Sequence, residues 1–238
     1  MLKYVTKSRY WDILDKGIME GVSGTSKWHL RDVQEAVVYS YLSDQVSKDI
    51  AEIGAGSSRL LEVLAKSNRC YAINEDKGVG GGATSRPSIK NLQFIDCGIG
   101  KSHLYIPDSS YDIVFSVSVL EHVPDQELRG IFEDCWRILK PNGLMVHLIN
   151  AYVEDAKGNN GYIWGRIKSY SEPFYEGRFC PTGDIEFSTL EDVAFRTTLA
   201  SNPDDLIHSW NQMVPSLVEK RKVSQSCTIE MAGRRIDG

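Results

Sequence analysis

The stretch that decides the fold is Ile50-Ala-Glu-Ile-Gly-Ala-Gly-Ser-Ser-Arg59. A short apolar run contains one carboxylate, Glu52, and ends at two glycines, Gly54 and Gly56. Glycines at this place let the backbone turn tightly, and they let a ligand approach without a Cβ in the way. A strand, a bare turn and a following helix predict a ligand site at the carboxyl edge of a parallel sheet.

A dinucleotide site is one interpretation of this turn. The dinucleotide pattern G-x-G-x-x-G requires a third glycine at position 59, where this chain has Arg59. Glu52, two residues before the first glycine, is also badly placed beside a pyrophosphate. It is well placed for a ligand that carries a positively charged amine. The residues therefore favour a nucleotide-like ligand with an amino group over a nicotinamide dinucleotide.

Apolar runs alternate with helix-like segments on both sides of this turn, which is the pattern of a parallel sheet with crossover helices. The predicted strands of this core are residues 49–53, 70–74, 92–96, 111–117 and 144–149. The predicted helices are residues 57–66 and 125–139. Asp125 is the expected N-cap of the second helix, and Lys140–Gly143 is the turn that ends it.

The segments outside this core are less regular. Residues 1–48 are predicted to be mostly helical, with the clearest amphipathic pattern at 32–42. After the core, a strand at 193–199, a helix at 203–222 and a last strand at 226–232 are predicted.

Residues 151–185 are rich in aromatic side chains, with seven among 35 positions. One interpretation is a satellite core beneath a long loop. The other is a lid over the substrate, because flat side chains suit apolar or sugar-like ligands and long insertions are commonly functional. Gly158, Gly161 and Gly165 would let such a lid move.

Composition narrows the class of protein. The chain has 238 residues, a formal net charge of −5 and 42% hydrophobic residues, which is ordinary for a soluble globular protein. The acidic balance argues against a nucleic-acid or anionic-membrane surface. The five cysteines form no C-x-x-C pair, so a disulfide framework or zinc site is not expected. No apolar run approaches the roughly 18 residues of a membrane-spanning helix. A cytoplasmic protein is the expectation.

Three motifs in order resemble the class I S-adenosylmethionine-dependent methyltransferases. They are E-I-G-A-G-S at 52–57, Y-D-I-V-F-S-V-S-V-L-E-H-V at 111–123 and R-I-L-K-P-N-G-L at 137–144. The resemblance covers roughly residues 45–150 and is strongest for small-molecule enzymes with the L-E-H-V segment. It implies a Rossmann-like α/β fold with a mostly parallel seven-stranded sheet flanked by helices.

The resemblance also implies how the chain is organised as a single domain. An N-terminal helical cap would span residues 1–48 and the cofactor-binding core 49–150. An acceptor-side insertion would follow at 151–185, and residues 186–238 would form the edge of the sheet, with one antiparallel strand.

The cofactor that the resemblance implies is S-adenosylmethionine. Glu52 would face its methionine amino group, and Gly54 and Gly56 would pass close to the methionine and the ribose. Asn74 stands where an acid normally holds both ribose hydroxyls, so either the neighbouring Glu75 takes over or the contact is weaker.

Four further cofactor contacts follow from the resemblance. Asp96 and Cys97 would lie near the adenine amino group. Ser116 and Val117 would pass beneath the cofactor at the end of the fourth core strand.

His122 is the candidate catalytic residue, because a hydroxyl acceptor needs a general base and histidine titrates near neutral pH. A packing or capping role is the plainer interpretation of the same residue. Some quinone-pathway relatives hold a metal with a glutamate at the position of Ser118, so no metal is expected here.

The implied reaction is methyl transfer to a small-molecule acceptor, at oxygen in preference to nitrogen or carbon. One alternative is a non-catalytic regulatory protein that binds S-adenosylmethionine, which Asn74 in place of the usual acid would suit. The other is an NAD-dependent oxidoreductase, which Arg59 in place of the third glycine argues against. The acceptor and the oligomeric state are left open by the sequence.

Overall fold

The computed structural model describes residues 1–22, 30–56, 58–75, 89–154, 161–187 and 224–237. Its centre is a sheet in which the strands follow the order β4-β3-β2-β5-β6-β9-β1-β8, with β7 paired to β9. The strands of the core are β2 (Asp49–Ile53), β3 (Arg69–Asn74), β4 (Leu92–Asp96), β5 (Tyr111–Val117) and β6 (Leu139–Glu154). These five run parallel to one another.

The other strands complete the sheet beyond β6. They are β1 (Leu2–Tyr4), β7 (Phe179–Pro181), β8 (Ile185–Glu186) and β9 (Ser224–Arg235). β9 runs antiparallel to β6 over eleven paired positions, from Leu144 with Arg234 to Glu154 with Ser224. The Rossmann-like fold class predicted from the sequence is therefore confirmed, and so are the last strand and its antiparallel direction.

Five helices cover the two faces of the sheet within the described part of the chain. They are α1 (Lys7–Asp15), α2 (Leu30–Leu42), α3 (Arg59–Leu64), α4 (Asp125–Ile138) and α5 (Gly161–Tyr175). Apolar side chains of α1, α2 and α3 pack on one face of the sheet, against residues such as Ile113 and Phe115. Those of α4 and α5 pack on the other face, against Val114 and Met145. A helix layer on each face leaves the carboxyl ends of the parallel strands as the open edge.

Two details of the sheet differ from the sequence predictions. The sheet has nine strands in the described residues instead of seven, because β1, β7 and β8 were not predicted, and β1 lies within the segment expected to be helical. β9 is not the edge of the sheet, since β1 pairs with it on the side away from β6. A three-residue strand is too short to have a recognisable period, and its partner lies more than 200 residues away, so sequence patterns do not predict it.

The predicted N-cap of α4 is also wrong. Pro124 holds the cap position and Asp125 is the first helical residue, where its carboxylate pairs with Arg166 instead of capping the helix. The turn predicted at 140–143 lies inside β6, where the pairing with β5 shifts register between Leu139 and Leu144 and Asn142 has a φ of +58°. The strand predicted at 193–199 and the helix predicted at 203–222 lie outside the described residues.

The aromatic segment at 151–185 contributes to the main core instead of forming a satellite core, and the lid stays a prediction. Among its described side chains, Tyr170 and Phe174 of α5 and Phe179 of β7 are buried in the core, while Tyr175 is exposed. Within the described residues, no helix is both long enough and apolar enough to cross a membrane. The cytoplasmic location stays a prediction.

Candidate functional site

The loops that follow β2 and β5 lie side by side at the carboxyl edge, because the strand order reverses between these two neighbouring strands. Gly54 opens the first loop with a φ of +65°, and Gly56 follows with a φ of +51°. A Cβ on Gly54 would lie 2.6 Å from Cγ2 of Val119 in the second loop. Both glycines therefore adopt a backbone conformation that residues with L side chains rarely take. The missing Cβ of Gly54 also lets the side chain of Val119 pack closely against the turn.

Glu52 lies in β2 just before this turn and is 1% exposed. Its Oε2 has no hydrogen-bond partner among the residues that the structure describes. Burial raises the pKa of Glu52 to about 7, although Arg31 and Ser58 oppose the shift. Because a buried carboxyl oxygen without a partner is costly, this group is suited to receive a hydrogen-bond donor or a cation.

Arg31 lies in the first turn of α2 and fixes that helix to the end of β5. Its Nη1 donates to the carbonyl oxygen of Val117 at 2.9 Å, and its Nε donates to Oε1 of Glu35 at 2.8 Å. The second oxygen of Glu35 accepts from Nε of Arg59 at 2.9 Å, and Nη2 of Arg59 donates to Asp32 at 2.7 Å. Arg59, which occupies the position of the third glycine in the dinucleotide pattern, thus joins α3 to α2 instead of facing a ligand.

Glu121 is the second buried carboxyl of this edge, in a single 3₁₀ turn, Leu120–His122, that follows β5. Its side chain is 8% exposed, and neither carboxyl oxygen has a hydrogen-bond partner in the described parts of the chain. Burial raises the pKa of Glu121 to about 8; amide groups of Glu121 and Asn150 and the charge of Arg31 oppose the shift. These amides lie near the carboxyl without reaching hydrogen-bonding geometry. Glu121 is therefore a neutral acid at neutral pH unless a ligand changes its surroundings.

His122 is adjacent and more accessible, with 52% of its side chain exposed. Its Nε2 lies 3.9 Å from Oε1 of Glu121. Burial and the nearby charge of Arg166 lower the pKa of His122. A lowered pKa keeps the imidazole neutral near pH 7, so it is able to accept a proton.

Arg166 of α5 holds the turn that carries these two residues. Its Nη2 donates to the carbonyl oxygens of Leu120 at 2.8 Å and Val123 at 2.9 Å, and its Nη1 pairs with Asp125. The helix within the predicted insertion is therefore bonded directly to the segment with Glu121 and His122.

The ends of β3 and β4 bring the predicted ribose and adenine contacts together. Asn74 pairs in register with Asp96, and a Cβ on Gly98 would lie 2.6 Å from Oε1 of Glu75. Glu75 and Asp96 are exposed, whereas the thiol of Cys97 is buried and burial raises its pKa. Asn74, Glu75 and Asp96 thus meet at one part of the edge, next to Cys97.

Ser116 and Val117 both have buried side chains. Oγ of Ser116 lies 2.7 Å from Nδ1 of His147, and burial lowers the pKa of His147 to about 3. These two residues can reach the site only through backbone atoms, and the carbonyl of Val117 already binds Arg31. Among the described residues there is no group of acidic, histidine and cysteine side chains that could hold a metal.

The comparisons with known proteins agree with this geometry. Residues 51–147 match the family model described as "Methyltransferase domain". No curated protein sequence matches the chain. The YcgJ protein from Bacillus subtilis is 15% identical with a TM-score of 0.57, and the match covers 85% of this chain and 97% of that one.

Two further solved structures are named after their reactions. Geranyl diphosphate C-methyltransferase from Streptomyces coelicolor A3(2), solved with Mg²⁺, geranyl diphosphate and S-adenosyl-L-homocysteine, is 12% identical with a TM-score of 0.52. The match covers 91% of this chain and 89% of that one. N-methyltransferase NodS from Bradyrhizobium japonicum WM9 is 14% identical with a TM-score of 0.50, covering 87% and 96%. These likenesses show the fold. The two proteins are named for methyl transfer to carbon and to nitrogen, respectively.

The fold and the matched segment point to one class of protein, because residues 51–147 match the methyltransferase domain. That family model implies an S-adenosylmethionine-dependent enzyme. The residues present fit this cofactor, because Glu52 offers an unpartnered buried oxygen beside a turn kept bare by Gly54 and Gly56.

Two features of the site were not predicted from the sequence. Arg31 was missed because its contacts join α2 to β5, which are far apart in the chain. Glu121 lies in the L-E-H-V segment but was given no role of its own, because its burial depends on the packing around the turn. No local pattern in the sequence signals either arrangement.

Proposed function

We propose that this protein transfers a methyl group from S-adenosylmethionine to a hydroxyl oxygen of a small molecule. The observation that carries the choice of oxygen is the exposed imidazole of His122 at the open edge, which is able to accept a proton. A hydroxyl must lose its proton as its oxygen attacks, whereas a carbon or a neutral amine needs no base for the attack itself. The cofactor supplies an electrophilic methyl group, and the chain must orient the acceptor and exclude water.

His122 is the proposed general base. It is exposed enough to meet an acceptor, and its lowered pKa favours the neutral imidazole. Glu121, whose Oε1 lies 3.9 Å from Nε2 of His122, would orient the imidazole, and the positive charge that forms on His122 would lower the pKa of Glu121.

The proposed cofactor contacts follow the edge of the sheet from β2 to β4. Glu52 binds the methionine ammonium, and Gly54 and Gly56 let the methionine and ribose approach. Asn74 and Glu75 bind the ribose hydroxyls. The adenine lies against Asp96 and the backbone of Cys97. The other predicted contacts are made by backbone atoms of Ser116 and Val117.

The proposed acceptor side is formed by the N-terminal cap and the insertion of a single domain. Arg166 supports this assignment, because it bonds α5 to the turn that contains His122. The acceptor is a small molecule, and no role for nucleic acid or membrane is proposed.

The proposal is tested in two steps. First, calorimetric titration with S-adenosylmethionine and S-adenosylhomocysteine should give micromolar or tighter binding; no binding at high micromolar concentration would overturn the cofactor assignment. Second, the protein is incubated with methyl-labelled cofactor and panels of hydroxyl, amine and carbon acceptors. Label in an ether or ester product supports oxygen, and label confined to amines or carbon overturns it. Binding without label in any panel favours a non-catalytic protein.

A further inference from the structure

A cavity of about 800 Å³ lies at the amino ends of the parallel strands, at the opposite end of the sheet from Glu52 and Gly54. Its walls come from segments that are far apart in the chain: the end of α2, the starts of β5 and β6, and the ends of β7 and β9. This volume is within the range of small-molecule sites. Because the proposed cofactor contacts lie at the carboxyl ends of the strands, the cavity is separate from them.

The strand register shows how wide the cavity is and which face of the sheet it occupies. One row of paired residues crosses four neighbouring strands from β9 to β2: Arg234, Leu144, Ile113 and Ile50. The row faces the α2 side of the sheet, because its three apolar members pack in one cluster with Leu42 of α2. Three strand spacings, about 14 Å, separate the backbones of β9 and β2, which leaves room for an organic ligand. Lys48 lines the cavity just before β2, at the far end of this row.

The charged side chains of the cavity are mostly cations. Those that line it are Lys48, Lys140, Arg234, Arg235 and a single acid, Asp112. Two of these cations have carboxylate partners. Nζ of Lys140 donates to Asp49 and to Asp112, each at 2.8 Å, and Nε of Arg235 lies 3.6 Å from Oδ1 of Asp237.

Lys48 and Arg234 are the two cations that stay available. Nζ of Lys48 lies 4.0 Å from Oδ1 of Asp112, whose other oxygen already accepts from Lys140. Nη1 of Arg234 donates to the carbonyl oxygen of Asn142 at 3.0 Å, and Arg234 forms no ion pair within the described residues. The chain has a formal net charge of −5, so two uncompensated cations beside one cavity give this region a positive potential that the rest of the protein does not favour.

We propose that this cavity is a second binding site, which takes a small organic phosphate whose anionic group lies between Lys48 and Arg234. A guanidinium and an ammonium are the side-chain groups that bind phosphate oxygens best. The carbon part of the ligand would lie against Ile113 and Leu144, which form the apolar wall. The proposal does not depend on methyl transfer, because its ligand enters at the other end of the strands.

Cys180 allows this site to be tested directly. It lines the cavity and is exposed, whereas the other four cysteines are buried. The rate at which uncharged iodoacetamide alkylates Cys180 is measured by mass spectrometry at increasing concentrations of 1-naphthyl phosphate. 1-Naphthol is the matched ligand without the phosphate. The assay is repeated with Lys48→Met, Arg234→Met and a control, Arg129→Met, which removes an exposed arginine of α4.

1-Naphthyl phosphate should protect Cys180 with a half-effect at about 1 mM or below, and 1-naphthol should need at least about 10-fold more. Lys48→Met and Arg234→Met should each raise the half-effect concentration at least about fivefold, and Arg129→Met should leave it within about twofold. Saturating S-adenosylhomocysteine should not change it.

Three outcomes would overturn the proposal. The first is no protection of the wild-type protein at about 10 mM, and the second is equal protection by 1-naphthol. The third is an unchanged half-effect concentration in both cavity variants, because the probe would then act from elsewhere. Loss of protection in saturating S-adenosylhomocysteine would also contradict a separate second site.

Discussion

Gly54 and Val119 are in contact across the point where the strand order reverses, and a Cβ on Gly54 would lie 2.6 Å from Cγ2 of Val119. The bare turn therefore serves two purposes. It leaves room for a ligand above the edge, and it lets the loops after β2 and β5 pack against each other. A substitution here changes the loop that leads to Glu121 and His122 as well as the cofactor turn.

Gly54→Ala should destabilise the protein by about 1–3 kcal/mol and weaken S-adenosylhomocysteine binding at least about 10-fold, because the φ of +65° and the contact with Val119 both oppose a Cβ. Adding Val119→Ala should restore part of the stability but not the part due to φ. The measurements are urea unfolding and calorimetry.

Gly130→Ala in α4 is the control, because nothing lies within 4 Å of a Cβ added there, and it should stabilise the protein by up to about 1 kcal/mol. Wild-type affinity in Gly54→Ala would show that the turn does not approach the ligand.

Cofactor binding should release a proton from Glu52. The pKa of Glu52 is about 7 in the free protein because of burial, and a bound ammonium group favours the ionised form. Binding enthalpies of S-adenosylhomocysteine at pH 6.5, measured in buffers of different ionisation enthalpy, should show a substantial fraction of one proton released. Glu52→Gln should abolish most of this release and weaken binding. Equal enthalpies in all buffers for the wild type would contradict the assignment.

The pH dependence of stability should depend on Glu121. Its folded pKa, about 8, lies above the ordinary carboxyl value, so its contribution is fully present below the unfolded pKa and is lost as pH rises through 8. The free energy of unfolding should therefore fall between pH 6 and 9 by a few kcal/mol more in the wild type than in Glu121→Gln. Urea unfolding at both pH values measures the difference. Parallel pH dependence in the two proteins would mean that Glu121 is paired or hydrated in solution.

Asp134 should matter for cofactor binding although it lies on α4. Its Oδ2 accepts from the backbone N–H groups of Gly100 at 2.8 Å and Ser102 at 3.0 Å, and it holds the loop that follows Asp96 and Cys97. Asp134→Ala should cost about 2–4 kcal/mol and weaken S-adenosylhomocysteine several-fold, because a network of buried hydrogen bonds is lost. Glu133→Ala, the exposed neighbour that pairs with Arg129 and Arg178, should cost less than about 1 kcal/mol. Full affinity in a folded Asp134→Ala protein would separate this loop from the cofactor site.

His122→Ala should lower the rate of methyl transfer about 100-fold, while the affinity for S-adenosylhomocysteine stays unchanged. The wild-type rate should rise with pH through the lowered pKa of the imidazole, since only the neutral form accepts a proton. Steady-state rates with an acceptor found in the hydroxyl panel measure both effects. An unchanged rate would leave His122 with the packing role.

The amino-acid sequence by itself determined the central part of this protein. The strands from β2 to β6, the helix α4 and the glycine turn follow from apolar periodicity and from glycines at fixed spacing, which are local properties of the chain. The antiparallel last strand came from the same patterns together with the family resemblance.

Only the tertiary structure decided which side chains meet at the open edge. Arg31 reaches Val117 across 86 positions of the chain, and Glu121 lies in a turn that packs against β6 and is bonded by Arg166 of α5. The three residues of β1 become a strand only because β9 and β8 offer them backbone partners. Such arrangements depend on how helices pack over a finished sheet, and packing between distant segments leaves no period in the sequence.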